Sequence, residues 1–152
     1  FLIGTASGPI HIPMFFGRPV LFTNFSCAIE YYGYREQDLF LPRWIKNIQT
    51  GKLLSFEEYM SPPFSMLASL SSFRDSKLDY VQNTPEELAA ATKEMLERTN
   101  SALPSKIPDD NLQRRFKTIA KNCGLKYGGR PVKAFASISR DFLERHADLL
   151  KD

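Results

Sequence analysis

Two short apolar runs, residues 1–3 and 20–22, flank a segment built from small and turn-forming residues. Runs that are apolar at successive positions suit parallel strands covered on both faces. Between them, Gly4-Thr5-Ala6-Ser7-Gly8-Pro9 reads as a turn that leads into a short helix, and Gly17-Arg18-Pro19 as a tight turn back. The pattern predicts strand, turn, helix, turn, strand, with the first strand central in a parallel sheet. Small residues at the carboxyl end of such a strand, ahead of a helix start, leave unpaired N–H groups that suit an anion. Open α/β sheets place their ligands at that end.

Further along, the periodicity changes several times. Residues 25–37 carry Tyr31, Tyr32, Gly33 and Tyr34 and read as a loop on the same rim. Asp38-Leu39-Phe40-Leu41-Pro42 reads as a short strand, with Pro42 marking an edge or a strand end. Residues 44–54 fit no single period, and Gly51 marks a turn. Ser55-Phe56-Glu57-Glu58 has the capping-box spacing, so a short helix is expected before Pro62. Residues 61–76 have no clear period. Residues 77–81 alternate polar and apolar, as a half-buried strand does.

Asn83-Thr84-Pro85-Glu86-Glu87 is the strongest helix start: Thr84 caps, Pro85 takes the first helical position and Glu87 completes the box. Leu88, Ala91, Met95 and Leu96 give that helix an apolar stripe. Asp110 is positioned to cap another, with Leu112, Phe116, Ile119 and Ala120 on one face and Gly124 at its end. Residues 127–131 read as a connector. A last helix opens at Ser137 or Ser139 and packs through Ile138, Phe142, Leu143, Leu149 and Leu150.

This order of elements gives the expected fold class: α/β, a partial Rossmann-like parallel sheet with flanking helices and a helical carboxyl terminus. The 152 residues suffice for one domain with a sizeable core. The opening directly on an apolar strand leads us to expect the carboxyl-terminal piece of a longer protein. No apolar stretch approaches the roughly 18 residues of a membrane span. Cys27 and Cys123 form no CxxC, and two histidines without a His/Cys cluster argue against zinc.

The charge is uneven. Residues 1–100 carry a net −2 and residues 101–152 a net +5. The basic residues Arg114, Arg115, Lys117, Lys121, Lys126, Arg130 and Lys133 suit a solvated helix face, or an anionic partner such as a membrane surface or a nucleotide diphosphate. No aromatic-interleaved basic strand accompanies them, so no nucleic-acid partner is expected.

One constellation carries candidate chemistry, Ser7-Gly8-Pro9-x-His11. Ser7 offers a hydroxyl, Gly8 a close backbone approach, and Pro9 starts a helix without removing a needed donor. His11 falls just inside that helix on the same rim, and Thr5 opens the turn. Thr23 and Asn24 end the second strand and form a secondary set of polar liners, with Glu30 as a carboxylate able to reach a ribose or sugar hydroxyl. The same residue types also serve packing alone: a Gly-rich turn can exist for the fold, and Glu30 can be a surface residue. Arg18 lies at the opposite end of the sheet and receives no ligand role. The chain has no P-loop, G-x-S-x-G elbow or H-E-x-x-H pair.

Residues 3–13, with Phe16-Gly17-Arg18-Pro19-Val20, resemble the carboxyl-terminal, donor-binding half of GT-B glycosyltransferases. The nearest motif is the S-G-P-x-H turn of the lipopolysaccharide heptosyltransferase group, which covers only the first quarter of the chain. The wider sequence resembles a family of bacterial glycosyltransferases. That likeness rests on residues 17–24, Asp38-Leu39-Phe40-Leu41-Pro42, Gly51-Lys52-Leu53-Leu54-Ser55-Phe56 and Asn83-Thr84-Pro85-Glu86-Glu87. The resemblance implies that residues 1–152 form a single, truncated Rossmann-like domain for a nucleotide-activated sugar, with an acceptor domain upstream. Thr5, Ser7, Gly8, Pro9 and His11 would lie at the donor diphosphate and sugar.

Many heptosyltransferase-like proteins have Asp just before the Ser of this turn; here it is Ala6, so a carboxylate contact to the sugar is not expected there. The chain lacks D-x-D, and the resemblance implies no metal and no cofactor beyond the donor substrate. It implies a cytoplasmic enzyme, at the inner face of the membrane if the basic 114–133 region binds there, acting on a cell-surface glycan or a lipid-linked acceptor. The isolated chain is expected to be inactive, its sheet edge frayed or covered by another copy in a homo-oligomer. Two other classes stay open: a non-catalytic carbohydrate- or nucleotide-binding module, and a sugar-nucleotide enzyme such as an epimerase.

Overall fold

Parallel pairing of Leu2–Gly4 (β1), Val20–Phe25 (β2), Leu39–Pro42 (β3) and Ser137–Ile138 (β8) builds the main sheet in the order β1-β2-β3-β8. The computed structural model describes residues 1–5, 8–25, 35–62, 64, 73, 75–100, 110–123, 126–127, 130–131 and 136–150. Trp44–Asn47 (β4) and Leu78–Val81 (β5) form an antiparallel pair, and Lys126–Tyr127 (β6) and Arg130–Pro131 (β7) a second one. Around these lie the helices His11–Phe15 (α1), Phe56–Met60 (α2), Pro85–Asn100 (α3), Asn111–Asn122 (α4) and Arg140–Arg145 (α5). The α/β class with a parallel sheet and flanking helices is therefore as expected.

Two placements differ from the sequence reading. The first strand is an edge strand, and Phe1, Leu2 and Ile3 are exposed rather than buried. Leu39–Pro42 is an interior strand, and Pro42 falls at its end, the second of the two positions expected for it. Pro42 is tolerated because it is the last strand residue: Arg43 N–H, one position on, donates to Phe25 O at 2.9 Å. Ile138 belongs to β8 and not to the last helix, which starts after Ser139.

The core joins Phe22, Phe25 and Phe40 of the main sheet, whose rings lie 5.1–6.2 Å apart, to Trp44 of the second. Trp44 is stacked on Phe142 at 5.0 Å and 13° and also meets Phe56 at 4.8 Å. Buried Asp38 ties strand starts together: its carboxylate accepts from Val20 N–H at 2.9 Å and Arg35 N–H at 3.2 Å. The helix starts follow their local signals. Ser55 and Glu58 cap α2 reciprocally, and Asp110 accepts from Leu112 N–H at α4. At α3, Thr84 N–H donates to Glu87 at 2.8 Å and Glu87 N–H to Thr84 Oγ1 at 3.2 Å. In α3, Ala91 and Met95 are buried as expected, but Leu96 is exposed.

Glu87 also meets His146 Nε2 at 2.8 Å, pinning α3 to the end of α5. Burial pushes the Glu87 carboxyl up. The hydrogen bonds from His146 and Thr84 and the charges of His146 and Arg145 more than reverse this, so the net direction is down. A depressed folded-state value contributes stability above the ordinary carboxylate range, and that stability is lost as pH falls through the folded value. Glu87→Gln is therefore expected to lower the thermal midpoint at pH 7. Its deficit against wild type should shrink steadily between pH 5 and pH 3 in a melting series; a deficit that stays constant would show that the charge is not responsible.

A candidate ligand rim at the carboxyl ends of the parallel strands

The rim is assembled where β1, β2 and β3 end. Gly4 closes β1, and a Cβ there would sit 3.1 Å from Ile10 Cδ1, so a larger residue needs a small shift of the Ile10 side chain. Thr5 follows, exposed. Ser7 and the neighbouring Ala6 lie outside the described residues. The chain is described again at Gly8, where Gly8–Ile10 forms a 3-10 turn running into α1. Gly8 and Pro9 are exposed, and a Cβ added at Gly8 would meet nothing within 4 Å among the described residues. His11 is half-buried as the first residue of α1. At five residues, α1 is the short helix expected, and its dipole is correspondingly small. Any anion-binding capacity at this turn rests on the turn amides and on the open space beside Gly8.

Thr23 and Asn24 both reach the rim, but as supports. Thr23 is buried, and its hydroxyl donates to Gly4 O at 3.3 Å, tying the ends of β1 and β2 together. Asn24 sits at a register shift in β2 with φ of +54°, a left-handed conformation that Asn tolerates better than most residues. Its N–H donates to Asn83 Oδ1 and its own Oδ1 accepts from Asn83 N–H, each at 2.7 Å. Asn83 Nδ2 donates to Pro42 O at 2.6 Å. One buried side amide thus clasps the ends of β2 and β3 to the start of α3. Sequence reading placed Asn83 only beside a helix cap; its partners are 41 and 59 positions away. Glu30 lies outside the described residues.

Arg18 is exposed at the other end of the sheet, as expected. The basic residues Arg114, Arg115, Lys117 and Lys121 lie on α4, which contains no carboxylate. Arg114, Arg115 and Thr118 line a groove of about 610 Å³ opposite Glu57 and Ser61 of the α2 segment. Lys126 and Arg130 fall in the β6–β7 pair, and Lys133 outside the described residues.

Among the described residues, no group of three His, Cys, Asp or Glu side chains is placed to hold a metal, and no helix is long and apolar enough to cross a membrane. The fold and rim define an α/β protein with a parallel sheet and a polar rim at its strand ends. No protein-family profile, curated protein or solved structure matches the chain.

Proposed function

We propose that this rim is the donor site of a glycosyltransferase and takes a nucleotide-activated sugar. The observation that supports it most is the juxtaposition at the ends of β1 and β2: an exposed Gly8-Pro9 turn with free space beside it, half-buried His11 next to it, and a rim held rigid by Thr23 and the Asn24–Asn83 clasp. A diphosphate seated there would receive the turn amides, and those donors would stabilise its developing charge as the bond to the anomeric carbon breaks. Thr5, Ser7 and His11 are the side chains assigned to the donor. The acceptor is a glycan or lipid-linked sugar, and the basic face of α4 would hold the enzyme at an anionic membrane surface.

Gly8→Ala is the sharpest probe, because the added methyl meets no atom of the described residues within 4 Å. Calorimetric titration with UDP, GDP, ADP and CMP is expected to show saturable binding of one of them. Gly8→Ala should weaken it roughly tenfold or more while moving stability by less than about 0.5 kcal/mol, the usual range for surface changes. His11→Ala should weaken it too. Binding of oligosaccharide without any nucleotide would instead favour a non-catalytic recognition module, and binding untouched by Gly8→Ala would remove the site from this turn.

A further inference from the structure

Arg43 belongs to the same carboxyl rim and has no role in the donor site. It directly follows the last residue of β3, an interior strand with β2 on one side and β8 on the other. Its backbone is pinned twice. Arg43 N–H donates to Phe25 O at 2.9 Å, and the carbonyl just before it, Pro42 O, accepts from Asn83 Nδ2 at 2.6 Å. The clasp that fixes the rim therefore also fixes the root of this side chain. The far end is held by a ring: Arg43 Cζ lies 3.6 Å from the centroid of Tyr80 in β5, over the ring face. Phe73 meets Tyr80 at 4.4 Å and 31°, so the ring is itself supported.

A long, flexible side chain is thus ordered by the fold, so little rotamer freedom remains to be lost on binding. Arg98 and Arg145 show the contrasting arrangement. Each grips one carboxylate a helical turn away, Glu94 and Asp141, through Nε and Nη2 together. None of the ion pairs among the described residues includes Arg43. Its Nε is buried without a hydrogen-bond partner, while the residue as a whole is half-buried. The Tyr80 ring offers electron density to the face of the guanidinium but no acceptor in its plane, where the N–H groups point. A partly desolvated, planar cation of this kind matches an oxyanion lying in its plane, held by two parallel N–H···O bonds.

We infer that Arg43 is an oxyanion receptor at the carboxyl rim and takes a phosphate or carboxylate group of a ligand end-on, through its two terminal amino groups. The ends of parallel strands are where open α/β sheets receive ligands, and Arg43 is rooted there by backbone bonds to β2 and the clasp. Because β3 is two places from β1, that root lies about 10 Å from the end of β1 at the spacing of paired strands. The contact is therefore a second one, separate from the amides of the Gly8 turn. It goes beyond the donor reading and holds whether or not the ligand is a nucleotide-activated sugar.

Thermal unfolding with inorganic pyrophosphate or malonate, at an ionic strength held constant with sodium chloride, tests this. At about 10 mM one of the two anions is expected to raise the wild-type midpoint by roughly 3–10 °C, as a Kd of about 0.1–1 mM would. A rise with pyrophosphate alone names a phosphate ligand, and one with malonate alone a carboxylate. Arg43→Gln keeps the stem and removes the charge, so it should raise that Kd roughly tenfold or more, as lost charge-assisted bonds do. Arg43→Lys keeps the charge without the planar fork and should fall between the two. A wild-type midpoint that neither anion moves overturns the inference. So does a rise of equal size in Arg43→Gln, which would assign the anion to the basic face of α4, or one undiminished in Arg43→Lys, which would show that the stacked fork is not the receptor.

Discussion

Asn83→Ala is expected to lower stability by roughly 3 kcal/mol, because it leaves Asn24 N–H and Pro42 O without partners at a largely buried site, at about 1–3 kcal/mol for each such group. For a chain of this size the thermal midpoint should fall by about 6–12 °C. Two changes at the other end of the clasp separate its components. Asn24→Gly loses only the acceptor for Asn83 N–H, and glycine is at ease at φ of +54°. Asn24→Ala loses the same acceptor and must also hold a left-handed backbone, for about 1 kcal/mol more. The expected order of loss is Asn24→Gly, Asn24→Ala, Asn83→Ala. The clasp fixes the rim beside the Gly8 turn, so the same order is expected for loss of nucleotide affinity, measured at a temperature where every variant is folded. Urea midpoints for Asn83→Ala within experimental scatter of wild type would show that the clasp does not hold the rim.

The clasp also marks the limit of what the sequence reveals. Caps at Ser55, Thr84 and Asp110 are legible because donor and acceptor lie within four positions of each other. The apolar run at residues 1–3 identifies a strand equally well, but its position at the sheet edge depends on pairings that no local pattern encodes. Ser137–Ile138 is too short to show a period of two. Its neighbours Phe142 and Leu143 are helical, so Ile138 is read as helical with them. What holds it as a strand is partly Gln113, 25 positions earlier. At the rim, Thr23 and Asn24 were legible as polar residues ending a strand. Their occupation by Gly4 and Asn83 was not, since an unpaired and a structurally committed polar side chain look the same in a sequence. The donor site we propose accordingly rests on the turn residues Thr5, Gly8, Pro9 and His11, and on Ser7, which lies outside the described residues.

Trp44→Ala is expected to remove a large share of the stability of the chain. Trp44 is the single tryptophan, buried where β4 meets α5, with Phe142 stacked on one side and Phe56 and His146 within 4.8 Å. Truncation of a core aromatic costs about 3–5 kcal/mol, against a typical total of about 5–15 kcal/mol. The loss should also reach the Glu87–His146 contact, because His146 is held between Trp44, Phe142 and Glu87. Trp44→Phe tests whether the stack or the indole itself matters. The indole Nε1 is buried without a hydrogen-bond partner, and an orphaned donor of this kind costs about 1–3 kcal/mol. Phenylalanine retains a ring against Phe142 and removes that donor, so the gain offsets part of the lost volume. Urea unfolding followed by circular dichroism should place Trp44→Phe within about 1–2 kcal/mol of wild type, the range of modest core repacking. Equal losses for the two variants would mean that shape complementarity to the whole indole, and not the aromatic stack, holds β4 to α5.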